Sequence, residues 1–161
     1  HLWTVFLNKF AEIDHNKKNK IFNNLNEKYD HIHLISPQEY NIIPFYKVSD
    51  VLLTEASSTI YEMMACGKPV IVNRFFKLKL SHRIFRKRLY KKRLDQQMEK
   101  DISNFCFEAH KPSDIPMAID SALHNFDSKK IAMKRSQENM LFKLDGLSAH
   151  RAKEILLSYK K

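Results

Sequence analysis

SDVLLTEASSTIYEMMACGKPVIVN, residues 49–73, reads as strand, polar turn, helix, tight turn and strand. The apolar run Val51-Leu52-Leu53 is short and unbroken, as in a parallel strand covered on both faces. Val70-Ile71-Val72 repeats the pattern after Gly67-Lys68-Pro69, and a helix over 58–66 lies between. A strand joined through a helix to a second parallel strand sets the start of that helix at the carboxyl edge of the sheet, where open α/β folds bind ligands. Ser57, Ser58 and Thr59 fall at that start. Their hydroxyls and backbone N–H groups suit an anion, with the positive end of the helix dipole behind them. The same residue types are also preferred helix N-caps, and both roles can coexist. Glu62, three residues after Thr59, fits a capping box. Glu55, at the strand end, is placed to orient the serine turn or to face a hydroxyl of a ligand. Gly67-Lys68-Pro69 reads as a helix C-cap with a basic residue near the negative end of the dipole, then a proline stop.

Working outward, strand-like runs occur at Trp3–Leu7, His31–Ile35 and Asn104–Phe107, and helical spacing of apolar residues recurs at 15–28, 38–47, 113–124, 128–141 and about 147–159. Ser113, after Pro112, marks a helix start. Strands alternating with helices predict an α/β fold: a doubly wound, mostly parallel sheet of about five strands in a single domain. The chain opens at His1 and runs almost at once into the first strand, as expected of a fragment of a larger enzyme.

Charge is concentrated. Twenty-eight Lys and Arg stand against 18 Asp and Glu, and ten cations without an acidic residue between Arg74 and Arg93 carry the whole excess of +10. Within that stretch Ile84, Phe85 and Leu89 approximate one helical face, with Arg83, Arg86, Lys87, Arg88, Lys91, Lys92 and Arg93 around it. This basic amphipathic insertion, 74–93, suits an anionic membrane surface. A solvated helix docked on the domain is the plain alternative. Nucleic acid is disfavoured, because no recognition motif accompanies the charges. No apolar run approaches the roughly 20 residues of a membrane-spanning helix. Cys66 and Cys106 lack a C-x-x-C spacing and read as reduced thiols of a cytoplasmic protein.

At TEASSTIYEMMACGKPVIV the chain resembles the CDP-glycerol glycerophosphotransferase family, the teichoic-acid polymerases and primases, whose stretch reads approximately T-D-Y-S-S-x-x-x-[DE]-x-x-x-x-G-K-P-V-I. Asp145-Gly146-Leu147-Ser148-Ala149-His150-Arg151 is similar to the family's closing D-G-x-[SA]-x-x-R. The strong likeness covers about 41–73 and the tail adds about ten residues. It implies the Rossmann-like, nucleotide-binding half of a GT-B transferase whose other half is absent. It further implies transfer of glycerol phosphate from CDP-glycerol to a polymer or lipid-linked acceptor in cell-wall (teichoic-acid type) biosynthesis, at the cytoplasmic face of the membrane. No cofactor or metal is called for. Glu62 would then hold ribose hydroxyls, as in related nucleotide-sugar transferases. The family's K-[LP]-H-P element is missing, since Leu7-Asn8-Lys9-Phe10 stands in its place. The catalytic residues therefore stay unassigned, and the isolated chain is expected to be inactive. Two alternatives remain: a nucleotide-sugar glycosyltransferase, since M-A-C-G-K-P-V is shared among such enzymes, and a non-catalytic module that binds membrane or nucleic acid.

Two further residues suit the ligand edge. Arg151, in the first turn of the last helix, can reach a phosphate with its fork of donors. His110, in the loop after the 104–107 strand, is the histidine best placed for a cleft. His31 and His33 alternate with apolar residues and lack a third metal ligand.

Overall fold

The computed structural model describes residues 12–36, 38–55, 57–75 and 96–159, with the backbone alone at 12–15 and 96–98. Their elements are α1 (Glu12–Lys28), α2 (Ile43–Val48), β1 (Leu52–Thr54), α3 (Thr59–Ala65), β2 (Val70–Asn73), α4 (Gln96–Phe105), β3 (Phe107–Ala109), a 3-10 turn (Pro112–Asp114), α5 (Ile115–His124), α6 (Asp127–Leu141) and α7 (Ser148–Ser158). The chain forms two compact units, residues 1–42 and 43–161.

In the second unit the three strands lie in the order β1-β2-β3, all parallel. Leu52 pairs with Val70 and Thr54 with Val72, while Ile71 pairs with Phe107 and Asn73 with Ala109. Because side chains alternate across a strand, this register sorts the sheet into two faces. Val70 and Val72 point to one, buried with Tyr46 of α2, Ile60, Met63 and Met64 of α3, Ile102 and Phe105 of α4, and Met133 of α6. Ile71 and Ala109 point to the other, against Ala118 and Ala122 of α5. Both faces are therefore covered, which is why β2 is an unbroken apolar run rather than an alternating one. Each of the larger side chains contributes about 1.5–3 kcal/mol by leaving water.

The sheet has three strands among the described residues, not five. His31–Ile35 is not a strand: Leu34 and Ile35 are exposed, and the Leu34 amide donates to Asn26 Oδ1 at 2.9 Å rather than to a neighbouring strand. A period of two makes a strand only where an edge exists to pair with. Trp3–Leu7 and most of the basic stretch, including Arg83, Arg86, Lys87, Arg88, Lys91, Lys92 and Arg93, lie outside the described residues. The third strand is displaced from 104–107 to 107–109, since Asn104 and the buried Phe105 complete α4. The helix expected over 38–47 begins only at Ile43, because Pro44 fits a first helical turn and its ring would clash with a helical carbonyl four residues earlier. The start expected at Ser113 belongs instead to Asp114, whose Oδ2 accepts the amides of His110 and Lys111 at 3.0 and 3.1 Å.

No helix among the described residues is long and apolar enough to cross a membrane.

Candidate functional site

β1 ends at Thr54, Glu55 follows exposed, and the chain enters α3 through Ser57 and Ser58, both exposed. Three hydroxyls meet there. Ser57 Oγ lies 2.6 Å from Thr59 Oγ1, Thr54 Oγ1 lies 3.1 Å from Thr59 Oγ1, and a looser 3.4 Å contact joins Thr54 to Ser57. Thr54 was not anticipated. β1 is only partly covered, with Leu53 43% exposed, rather than covered on both faces as its apolar run suggested, and Thr54 at its end is half-buried. Among the described residues no backbone carbonyl accepts from the amides of Ser57, Ser58 or Thr59. The turn thus holds donors without a backbone acceptor among the described residues at the carboxyl edge of the sheet. Hydroxyl hydrogens rotate freely, so an arriving anion can redirect them from each other to itself. α3 has seven residues, so its dipole is weaker than the sequence reading supposed, and the local N–H and O–H groups carry the attraction.

The capping box expected of Thr59 and Glu62 is absent. Ser58 is the N-cap and makes no side-chain cap bond, while the Thr59 hydroxyl is turned toward Thr54. Glu62 instead stands near Tyr46, whose buried hydroxyl has no acceptor in hydrogen-bond geometry. Burial, then Glu62, push the Tyr46 phenol up to about 12.

A second cluster occupies the carboxyl ends of β2 and β3. Arg74, directly after β2, donates from Nη1 to Glu99 Oε2 at 2.7 Å and from Nη2 and Nε to Glu108 Oε1 at 2.8 and 3.1 Å. Ser103 Oγ donates to the same Glu108 oxygen at 2.8 Å. Burial alone would raise the Glu108 carboxyl, but the hydrogen bonds from Arg74 and Ser103 outweigh it and hold the group below the usual carboxylate range. One cation of the basic run is therefore neutralised. Glu108 announced this in the sequence, because a carboxylate between Phe107 and Ala109 in a covered strand requires an ionic partner. The free Glu108 oxygen, Oε2, faces His110 Nε2 at 3.4 Å, and the His110 ring is exposed.

No family model, curated protein or solved structure matches this chain.

Of the residues singled out from sequence, Ser57, Ser58, Thr59 and Glu55 share one turn. His110 lies at the same sheet edge, two strands away. Arg151 is engaged elsewhere: its guanidinium forks onto Asp145 at 2.9 and 2.8 Å, reaches Ser148 at 3.3 Å and lies over the Phe142 ring. Asp145, held by the Leu147 amide and by Arg151, has its carboxyl pKa lowered. The closing D-G-x-S motif thus forms a self-contained turn. Both cysteines are free thiols, and burial pushes Cys106 up to about 12, so that it stays protonated and inert. Among the described residues no three His, Cys, Asp or Glu side chains gather as a metal site.

Proposed function

We propose that this chain is the donor-binding, Rossmann-like part of a GT-B transferase that moves glycerol phosphate from CDP-glycerol to a polymer or lipid-linked acceptor. The observation that carries the reading is the turn at 57–59, exposed at Ser57 and Ser58, with three amides that find no backbone acceptor among the described residues beside three clustered hydroxyls at the end of a parallel strand. A diphosphate needs such donors, and charge-assisted bonds to it are roughly twice as strong as neutral ones. The likeness of 41–73 to glycerophosphotransferases supplies the substrate class. In the reaction an acceptor hydroxyl attacks the β-phosphorus in line, the bond to CMP breaks, and Ser57, Ser58 and Thr59 stabilise the departing phosphate. Glu55, exposed one step from the turn, repels a phosphate and suits a donor or acceptor hydroxyl. The acceptor is met at an anionic membrane, a surface that the positive charge of the 83–93 sequence suits.

Thermal unfolding with CDP, CDP-glycerol and UDP tests this. A ligand that binds only the folded chain stabilises it by about 2.7 kcal/mol at a hundred times its Kd. CDP and CDP-glycerol should raise Tm, and the double substitution Ser57→Ala, Ser58→Ala should abolish the rise without lowering the unliganded Tm by more than a few degrees. A rise with UDP alone moves the reading to a nucleotide-sugar glycosyltransferase. Indifference to all three removes the transferase and leaves a non-catalytic module.

A further inference from the structure

We propose a second ligand site, for a monosaccharide bearing a phosphate or carboxylate group, in the groove between α4 and α6. The groove has a volume of about 390 Å3 and is lined by Asp101 and Asn104 of α4 and by Arg135, Ser136, Asn139 and Met140 of α6, among others. None of these belongs to the turn at 57–59.

Where one helix packs on another, the facing stripe is ordinarily apolar. α6 obeys this at Met133 and departs from it beside the groove, where Arg135, Ser136 and Asn139 follow at helical spacing. Ser136 is 8% exposed, yet among the described residues its hydroxyl has no hydrogen-bond partner. Arg135 makes no ion pair there, and the side-chain amides of Asn104 and Asn139 make no hydrogen bond. Around this nearly buried hydroxyl Arg135, Asn104 and Asn139 are exposed, so their polar groups are open to a ligand in place of water.

The lining selects the occupant's chemistry. Arg135 offers a planar, permanently charged fork, which matches a phosphate or carboxylate. Asn104 and Asn139 each offer donors and an acceptor, which match neighbouring hydroxyls. No aromatic side chain lines it, so a nucleobase has no stacking platform. A single carboxylate is too little for a divalent cation. The volume falls near the small end of ligand pockets, roughly 300–1,000 Å3, and fits one sugar ring with its anionic group.

The test is an amide NMR titration of the full chain with glucose 6-phosphate and with glucuronate, alongside glucose and inorganic phosphate. Saturable shifts are expected at 101–104 and 135–140 with at least one charged sugar, in the millimolar range, and none with glucose. Arg135→Gln, an exposed change that leaves the core intact, should weaken binding about tenfold or more. The response of Tm to CDP should persist in that variant, so that loss of this site and loss of the transferase reading are told apart. The proposal is overturned if no saturable shifts occur, if they survive Arg135→Gln, or if phosphate alone reproduces them.

Discussion

Arg74 shows how far a residue's neighbours decide its meaning. In sequence it heads a run of ten cations, whereas in the fold it joins α4 to β3 through Glu99 and Glu108, with side-chain exposures of 17%, 31% and 24%. Removing one partner of such a cluster strands the others. A fully buried pair would cost 3–5 kcal/mol, and partial exposure reduces the figure for Arg74→Met to about 1–2 kcal/mol. The pH dependence has a definite sign. Glu108 is depressed in the fold, so its contribution is fully present above the unfolded carboxylate pKa of about 4.3 and is lost as pH falls through the lower folded value. The gap between wild type and Arg74→Met in urea unfolding should therefore be widest near neutrality and should narrow below about pH 4. An equal gap at pH 7 and pH 3 would show that the loss comes from packing rather than from charge.

Elements in this fold are closed by side chains from elsewhere in the chain. Lys68 Nζ donates to the carbonyls of Lys47 and Ser49 at the end of α2, Lys129 Nζ to Ser103 and Asn104 at the end of α4, and Gln137 to Met64 near the end of α3. The turn after α3 was legible in advance as a glycine cap. Gly67 has φ +67°, its amide donates to Met64 and the Lys68 amide to Met63, which is a Schellman turn. The destination of the Lys68 charge was not legible, because it serves a helix some twenty residues upstream rather than the one it follows. Local spacing encodes a cap, and only tertiary packing says whose. No atom lies within 4 Å of a Cβ built on Gly67, so Gly67→Ala meets strain alone. The expected cost is about 1–2 kcal/mol by urea denaturation. A neutral result would mean that the turn relaxes out of the left-handed region.

Across the whole molecule, the sequence was most readable around β2, whose Val70, Ile71 and Val72 are fully buried, while its neighbour β1 is only partly covered. The parallel unit from β1 to β2 follows from two apolar runs and one glycine turn, while His31–Ile35 misled because alternation without a partner edge stays exposed. Net charge is the property no single contact explains. The excess of +10 already counts the acidic partners of Arg74, so it stands in full as a field that reaches about 10 Å at 0.1 M salt. Each Lys or Arg near an anionic bilayer contributes about 1 kcal/mol. Apolar side chains without cover add a second term: none of α7's residues is buried, and Ile155, Leu156 and Tyr159, at helical spacing, are 58%, 69% and 82% exposed. Vesicles with a quarter of anionic lipid should therefore carry the chain upward in a flotation gradient at low salt, and neutral vesicles should not. Raising salt toward about 1 M, where screening acts within about 3 Å, separates the two terms. Charge alone predicts full release. Retention that disappears on Ile155→Ser, Leu156→Ser would mean that α7 inserts after the cations have delivered it, and failure to float at low salt would remove the membrane from the account of this protein.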